Sequence, residues 1–175
     1  IELDLQRALE KNEMYLVYQP KINLATGELI AVEALLRWKH PKLGNITPGE
    51  FIPIAEESGI IRNIGYWVIY EAIRQAKAWQ DSGYEVSTAV NVSAIQFKDR
   101  HFVNRVLEAL KRLQLNPRFL IVEITESVVK NFQSAKKSIV ELRNNDIRIA
   151  IDDFGTGYSS LSVLRESEVD VVKID

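Results

Sequence analysis

The first part of the chain has a hydrophobic pattern that predicts a β-hairpin. Two stretches rich in aromatic and aliphatic residues, 15–22 and 29–38, are separated only by the short segment 23–28, which contains Gly27. A connection between parallel strands needs about a dozen residues or more, so these two strands are predicted to run antiparallel.

From residue 47 onward the hydrophobic pattern alternates between two periods. Apolar residues that recur every three or four positions predict helices, and short continuous apolar runs between them predict strands. The predicted helices lie at 48–57, with Thr47 as cap, and at 61–79, 102–113, 135–142 and 158–166. The predicted strands lie at 87–93, 119–125, 147–153 and 169–175. This strict alternation is typical of an α/β fold with parallel strands covered on both faces.

Two α/β architectures fit this alternation, an open doubly wound sheet and a (β/α)8 barrel. The first strand-to-helix loops lack the glycine-rich phosphate-binding pattern of the open sheet, and polar residues recur at the end of each strand, so the barrel is favoured. Such a barrel takes about 250 residues, whereas this chain has 175. We therefore expect a single barrel domain over 1–175 that stops after its sixth strand and lacks its C-terminal strands.

Composition and charge exclude several classes of function. With 22 Lys and Arg against 24 Asp and Glu, the formal net charge of −2 gives no global attraction for a nucleic-acid polymer or an anionic membrane. The absence of cysteine excludes a disulfide framework, a thiolate metal site and a cysteine nucleophile. No apolar run reaches the roughly 20 residues needed to span a bilayer. We expect a cytoplasmic location for this domain, with any membrane anchor in other domains of the parent protein.

Polar side chains interrupt the apolar strands at recurring positions. Lone buried charges are costly or become neutral, so these residues need partners. In a barrel, the carboxyl ends of successive strands meet at one rim. Carboxylate and amide oxygens without cysteine or histidine favour a hard divalent cation such as Mg²⁺ or Mn²⁺, and the number of acids suggests a pair of ions. The residues concerned are Glu33, Asn91, Glu123, Asp152, Asp153 and Lys173.

A purely structural interpretation competes at each of these positions. A single glutamate in an apolar strand is more often half of a core ion pair, which Lys173 would complete, and only the recurrence on successive strands favours a shared site. Asp152 and Asp153 point to opposite sides of an ideal strand, so they share one site only if the chain kinks, which nearby Gly155 and Gly157 permit. Three further polar residues are expected to be exposed: His40, His101 and Glu126.

Seven short motifs follow one another along the chain. They are Tyr-Gln-Pro at 18–20, Glu-Ala-Leu-Leu-Arg at 33–37, Phe-Ile-Pro-Ile-Ala-Glu at 51–56, Asn-Val-Ser at 91–93, Glu-Ile-Thr-Glu at 123–126, Asp-Asp-Phe-Gly-Thr-Gly-Tyr-Ser-Ser-Leu at 152–161 and Lys-Ile-Asp at 173–175. A three-letter Glu-Ala-Leu match alone would carry no weight. The ordered set, however, resembles the EAL-domain family, bacterial phosphodiesterases that act on cyclic di-guanosine monophosphate (cyclic di-GMP).

The resemblance implies a modified (β/α)8 TIM barrel with an antiparallel first strand, which agrees with the predicted hairpin. It implies an enzyme that cuts cyclic di-GMP to linear pGpG with two Mg²⁺ or Mn²⁺ ions. The implied metal ligands are Glu33, Asn91, Glu123, Asp152 and Asp153, with Asp152 bridging the two ions. The implied catalytic residues are Glu33, Asp152 and Lys173, of which Lys173 would assist the water nucleophile.

The same resemblance implies how substrate and partner are bound. Gln19 would contact a guanine and Arg37 a phosphate, with Leu36 and Asp175 as further substrate-binding residues. The loop that starts at Phe154 and ends at Leu161 would order the metal site and contribute to a homodimer interface.

The family pattern also suggests a function of a different class. It continues with a glutamate on a seventh strand and a glutamine near an eighth, both beyond the end of this chain. The alternative function is therefore a catalytically inactive cyclic di-GMP receptor or scaffold. The family residue is present at every ligand position that the chain reaches, and this favours the enzyme for the parent protein. For the chain as given the balance is reversed, because an unclosed barrel exposes strand edges and lacks part of the site.

Overall fold

The computed structural model describes residues 1–130, 132–155 and 169–174. The helices are α1 (Glu2–Ala8), α2 (Pro48–Glu57), α3 (Ile61–Asp81), α4 (Ala94–Phe97), α5 (Phe102–Leu113), α6 (Glu126–Lys130) and α7 (Phe132–Asn144). The strands are β1 (Met14–Ile22), β2 (Leu29–His40), β3 (Gly44–Ile46), β4 (Ser87–Val92), β5 (Leu120–Thr125), β6 (Arg148–Phe154) and β7 (Val171–Ile174). No described helix has the length and apolar character needed to cross a membrane.

The strands form one mixed sheet in the order β1-β2-β4-β5-β6-β7, and β3 pairs with β2. β1 runs antiparallel to β2, whereas β2, β4, β5, β6 and β7 run parallel to one another. The predicted hairpin and the predicted parallel strands are confirmed. The antiparallel strand β3 was not predicted, because three residues are too few to show a period.

The turn between β1 and β2 is fixed by one side chain and one glycine. Asn23 Oδ1 accepts hydrogen bonds from the backbone N–H groups two and three residues further on, at 2.9 and 3.3 Å. Gly27 has a φ of +71°, a conformation that favours glycine. This turn sets the register in which Gln19 lies opposite Glu33 and Lys21 lies opposite Ala31.

Helix α2 begins where the sequence predicts it. Thr47 and Glu50 form a capping box, in which Glu50 Oε2 accepts from the Thr47 backbone N–H at 2.9 Å and from its hydroxyl at 2.7 Å. Pro48 takes the first helical position, where a missing N–H is tolerated. The helix buries Phe51 edge to face against Trp38, with ring centroids 5.7 Å apart. This packing supports the C-terminal half of β2.

The two faces of the sheet bury very different side chains. Large apolar residues on one face join helices α3, α5 and α7 in the main core. From the strands these residues include Val90, Val92, Val122, Ile124, Ile149 and Ile151. On the opposite face, a small cluster that we call the floor consists of Ala31, Ala89, Ile121 and Ala150. Because side chains alternate along a strand, the next positions on the floor side are Glu33, Asn91, Glu123 and Asp152.

β7 is less covered than the strands beside it. Val171 and Val172 are more than a third exposed, and Ile174 is 84% exposed. The predicted burial on both faces is therefore found for β4, β5 and β6 but not for β7. The reason is its position, since β7 ends the strand order among the described residues.

Candidate functional site

Three carboxylates from three strands meet on the floor side of the sheet. Glu33 comes from β2, Glu123 from β5 and Asp152 from β6. One oxygen of each lies within 4.8 Å of the others. Glu123 is almost fully buried, with 1% of its side chain exposed, whereas Glu33 and Asp152 face a more open space at 13% and 20%. The predicted convergence of these three acids is thus found.

Lys173 on β7 contacts all three carboxylates. Its Nζ lies 3.0 Å from Glu33 Oε2, 2.7 Å from Glu123 Oε2 and 2.9 Å from Asp152 Oδ1. The core ion pair that competed with a metal site in the sequence therefore exists in this structure. This ion pair uses the same carboxylates that the metal-site interpretation uses, so both interpretations concern one cluster of residues.

Lys21 on β1 is a member of this cluster that the sequence reasoning missed. Its Nζ lies 3.3 Å from Glu33 Oε2 and also forms a short hydrogen bond with Glu123 Oε1. The available signal was its spacing, since a residue two positions after Gln19 lies on the same face of the strand. Lys21 and Lys173 together leave the three carboxylates with one net negative charge.

The cluster favours the charged forms of Glu33 and Lys173. Burial raises the pKa of Glu33, but the hydrogen bonds from Asn91 and Lys173 outweigh it, so the pKa lies below its ordinary value. Burial likewise lowers the pKa of Lys173, yet the hydrogen bonds to Glu123 and Asp152 outweigh it and raise the pKa. Lys173 is therefore a permanent cation near neutral pH in the described cluster.

Asn91 and Asp153 flank the three carboxylates in different ways. Asn91 lies in β4, where its Nδ2 donates to Glu33 Oε1 at 2.9 Å. Asp153 has a φ of +53°, and the pairing of β6 with β7 shifts register between Ile151 and Phe154. The chain therefore departs from a regular strand after Asp152, which is the condition for Asp152 and Asp153 to share one site. The backbone N–H of Asp153 donates to Asp152 Oδ1 at 3.1 Å, while its own side chain is exposed.

A cleft of about 280 Å³ opens beside the carboxylates. Its lining includes Leu36, Arg37, Asn91 and Glu123. Arg37 Nη1 donates to the Leu36 carbonyl at 2.8 Å, and the guanidinium keeps further donors. Gln19 is exposed on β1 at the position opposite Glu33.

One wall of this cleft holds an unsatisfied amide. The side chain of Gln96 is 1% exposed, and its Nε2 has no hydrogen-bond partner among the described residues. Gly65 on α3 packs against it so closely that an added Cβ would lie 2.0 Å from Gln96 Oε1. A side chain at position 65 would therefore require the Gln96 amide to move.

Two of the predicted sites fall on residues that the structure does not describe. Asp175 lies outside the described residues. Of the loop that starts at Phe154 and ends at Leu161, only Phe154 and Gly155 are described.

Two expectations about exposed polar residues were wrong. His40 is 7% exposed, because its Nδ1 accepts the backbone N–H groups of Lys42 and Leu43 and turns the ring inward. Glu126 is 8% exposed at the start of α6, directly after β5. His101 is exposed, as expected.

The donor set fits a hard divalent cation. Carboxylate oxygens around one Mg²⁺ lie at about 2.1 Å from the ion, and so at most about 4.2 Å from each other. The three oxygens here lie within 4.8 Å of one another, a bound about 0.6 Å above that limit, so a bound ion would draw them slightly closer. The described cluster has neither cysteine nor histidine and leaves the amide oxygen of Asn91 nearby, which is the ligand chemistry that Mg²⁺ and Mn²⁺ prefer.

The arrangement matches a known family over almost the whole chain. The sequence model of the EAL domain matches residues 2–175. The chain belongs to the EAL-domain family. Its α/β sheet with an antiparallel first strand is the modified TIM barrel of that family of metal-dependent cyclic di-GMP phosphodiesterases.

The curated relatives are much longer proteins, and this chain covers only a part of each. MucR of Pseudomonas aeruginosa, a bifunctional diguanylate cyclase/cyclic di-GMP phosphodiesterase, is 48% identical over 174 residues, or 98% of this chain and 25% of MucR. The oxygen sensor protein DosP of Escherichia coli is 42% identical over 173 residues, or 98% of this chain and 22% of DosP. The chain thus spans about a quarter of these relatives.

Solved EAL-domain structures superpose closely on this chain. The PaMucR phosphodiesterase in complex with c-di-GMP has a TM-score of 0.95 at 46% identity, covering 99% of this chain and 71% of that one. The FimX EAL domain from Pseudomonas aeruginosa bound to c-di-GMP has a TM-score of 0.89 at 28% identity, again covering 99% and 71%.

Proposed function

We propose that this EAL domain hydrolyses cyclic di-GMP to linear pGpG at a site that holds two divalent cations. The observation that carries the proposal is the convergence of Glu33, Glu123 and Asp152 from three strands onto one point, with Lys173 among them. The PaMucR complex with c-di-GMP, at 46% identity, supports the choice of ligand.

The proposed metal ligands are those that the family resemblance implies. Glu33, Asn91, Glu123 and Asp152 would hold one Mg²⁺ or Mn²⁺ ion, and Asp152 and Asp153 a second. The kink at Asp153 supports this assignment, because it frees neighbouring residues from the strict alternation of a strand. When bound, such ions activate a water molecule and stabilise the leaving oxygen.

Lys173 is proposed to act on the reacting groups as a cation. In the described cluster its pKa is raised, so Lys173 is a cation there, and a protonated lysine cannot accept the proton of the attacking water. It can instead orient that water and offset the negative charge that grows on the phosphate oxygens. In the reaction, the water oxygen gives up a proton to solvent and bonds to phosphorus, one phosphorus–O3′ bond breaks, and the released 3′ oxygen takes up a proton.

Four residues are proposed to position the substrate. Arg37, which lines the same cleft as Glu123, would bind a phosphate through its remaining N–H donors. Leu36 would pack beside it against the ligand. Gln19, exposed opposite Glu33, would hydrogen-bond the edge of a guanine. Asp175 completes the proposed set.

The family pattern also supports a proposal about assembly and location. The loop that starts at Phe154 and ends at Leu161 would form a homodimer interface, and the domain would act in the cytoplasm without contacting a membrane or a nucleic-acid polymer. Sedimentation of the purified protein at several concentrations tests the homodimer. A monomer at every concentration would contradict it.

Incubation of the purified protein with cyclic di-GMP and Mg²⁺ or Mn²⁺ tests the proposed reaction. Chromatography is expected to show linear pGpG, and removal of the metal with a chelator is expected to stop its formation. Tight binding of cyclic di-GMP without product, under conditions in which MucR is active, would establish the receptor alternative instead.

A further inference from the structure

Lys21 reaches the carboxylates from a deeper level of the sheet than the other members of the cluster. Because β1 runs antiparallel to β2, Lys21 lies opposite Ala31, a residue of the floor. Its Nζ nevertheless lies 3.3 Å from Glu33 Oε2 and contacts Glu123 Oε1. The lysine stem therefore extends from floor level to the carboxylates, beside alanines whose small side chains leave room for it.

The contacts of Lys21 fall on oxygens that the proposed metal ligands would need. Glu123 gives one oxygen to Lys21 and the other to Lys173. Glu33 Oε2 lies within ion-pair distance of both amines. Lys173 also reaches Asp152, whereas Lys21 makes no ion pair with Asp152 in the described cluster. Lys21 is thus the more weakly held of the two cations.

The charge of the cluster makes Lys21 and a divalent cation alternatives. With both lysines present, the three carboxylates carry a net charge of −1, and a divalent cation would leave an excess of +1. With Lys173 alone, the net charge is −2, and the same cation would neutralise it. Like charges a few ångströms apart repel strongly at a partly buried site.

We propose that Lys21 is a resident counter-cation that competes for Glu33 and Glu123 with the first of the two proposed divalent cations, and so raises the metal concentration at which that first position fills. The inference rests on the metal site of the proposed function. It concerns binding of the metal alone, so it can be tested in the absence of cyclic di-GMP and of hydrolysis.

The test is the affinity for Mn²⁺, measured by calorimetry on the metal-free protein. Lys21→Met keeps the length and apolar stem of the side chain and removes its charge. We expect the Kd for Mn²⁺ to fall about tenfold, within the usual range of coupling between two binding events. Lys39→Met is the matched control, because Lys39 is an exposed lysine on the adjacent strand β2. The Kd of Lys39→Met for Mn²⁺ is expected to equal that of the unmodified protein.

A second variant separates charge from shape. Lys21→Arg keeps the positive charge and is expected to leave the Kd for Mn²⁺ within about twofold of the unmodified protein. If circular dichroism shows that Lys21→Met is unfolded, Lys21→Gln is used in its place. The same decrease in the Kd for Mn²⁺ is then expected.

Each outcome decides the inference. An unchanged or weaker Mn²⁺ affinity in Lys21→Met, or in Lys21→Gln where it is used, overturns the inference while leaving the hydrolysis proposal standing. Tighter binding without any hydrolysis by the unmodified protein supports the inference and contradicts the proposed reaction. If no variant binds Mn²⁺, the metal site and the inference both fall.

Discussion

The two faces of the parallel strands bury different side chains and have different roles in this protein. On the helix side, large residues such as Val122 and Ile124 join the main core. On the other side, the intervening residues Ile121 and Glu123 belong to the floor and the charged cluster. Three of the four floor residues are alanine, so little apolar area is buried there. The contrast indicates that stability comes mainly from the helix side, which frees the floor side to hold like charges close together.

The largest expected effect is on activity, from a change on the floor side. Glu33→Gln keeps the shape and the hydrogen bond to Asn91 but removes a proposed metal ligand. Turnover of cyclic di-GMP is expected to fall about 1,000-fold, measured by product chromatography. Glu28→Gln, at an exposed position of the hairpin turn, is the matched control and is expected to keep full activity. A fully active Glu33→Gln would remove Glu33 from the site.

A pair of truncations on β5 compares the two faces directly. Ile124→Ala opens a cavity in the main core and is expected to lower the free energy of unfolding by about 3 kcal/mol. Ile121→Ala lies three residues earlier on the same strand and belongs to the floor. It is expected to lower the free energy of unfolding by at least about 1 kcal/mol less than Ile124→Ala does, because the neighbours of Ile121 are small. Urea unfolding measures both. Equal losses would show that the floor contributes as much stability as the helix side.

Lys173→Met tests whether the cation acts on the reaction or on substrate binding. Turnover is expected to fall about 100-fold, since an oriented charge near the reacting phosphate is lost. Binding of cyclic di-GMP is expected to weaken less than tenfold, as measured by equilibrium titration of the metal-free protein. A large loss of affinity with unchanged turnover of the bound substrate would make Lys173 a substrate-binding residue instead.

The floor side is also expected to make stability sensitive to acid. The pKa of Glu33 is lowered from its ordinary value of 4.5, so the folded state binds this proton less readily than the unfolded state. Its contribution is complete above about pH 4.5 and is lost as the pH falls through the lowered value. Unfolding in urea at a series of pH values should therefore show a weaker acid dependence for Glu33→Gln. An identical dependence would show that Glu33 has no such role.

The smallest expected effect is a loss of stability at alkaline pH, from the ionisation of Tyr66 on the helix side. Burial and the hydrogen bond to Asp99 Oδ2, at 2.9 Å, raise the pKa of Tyr66 to about 12. The contribution of the protonated phenol is present below about pH 10 and is lost as the pH rises toward 12. Absorbance at about 295 nm, compared between the unmodified protein and Tyr66→Phe, should assign a late ionisation to this residue. Loss of an ionisation near pH 10 would contradict the assignment.

Most of the fold could be predicted because its signals are local. The short segment 23–28 requires an antiparallel hairpin, and helix and strand periods alternate clearly after Thr47. The convergence of Glu33, Glu123 and Asp152 also followed from the sequence, since the ends of parallel strands meet at one rim.

The parts that could not be predicted depend on contacts between distant residues. Lys21 resembles an ordinary exposed lysine of a hairpin, and its role follows only when β5 brings Glu123 within its reach. The burial of His40 likewise depends on the turn that carries Lys42 and Leu43. A long flexible side chain can contact several neighbouring groups, and the strand pattern alone does not determine which of them it contacts.

The hairpin turn at Asn23 and Gly27 has a consequence for how the site tolerates insertions. Side chains change face with every residue along a strand. One residue added within the turn, if it shifted the pairing by one position, would turn Lys21 and Gln19 away from Glu33 without altering any residue of the charged cluster. The length of this exposed turn therefore determines whether Lys21 and Gln19 face Glu33, although none of its residues touches the carboxylates in the described structure.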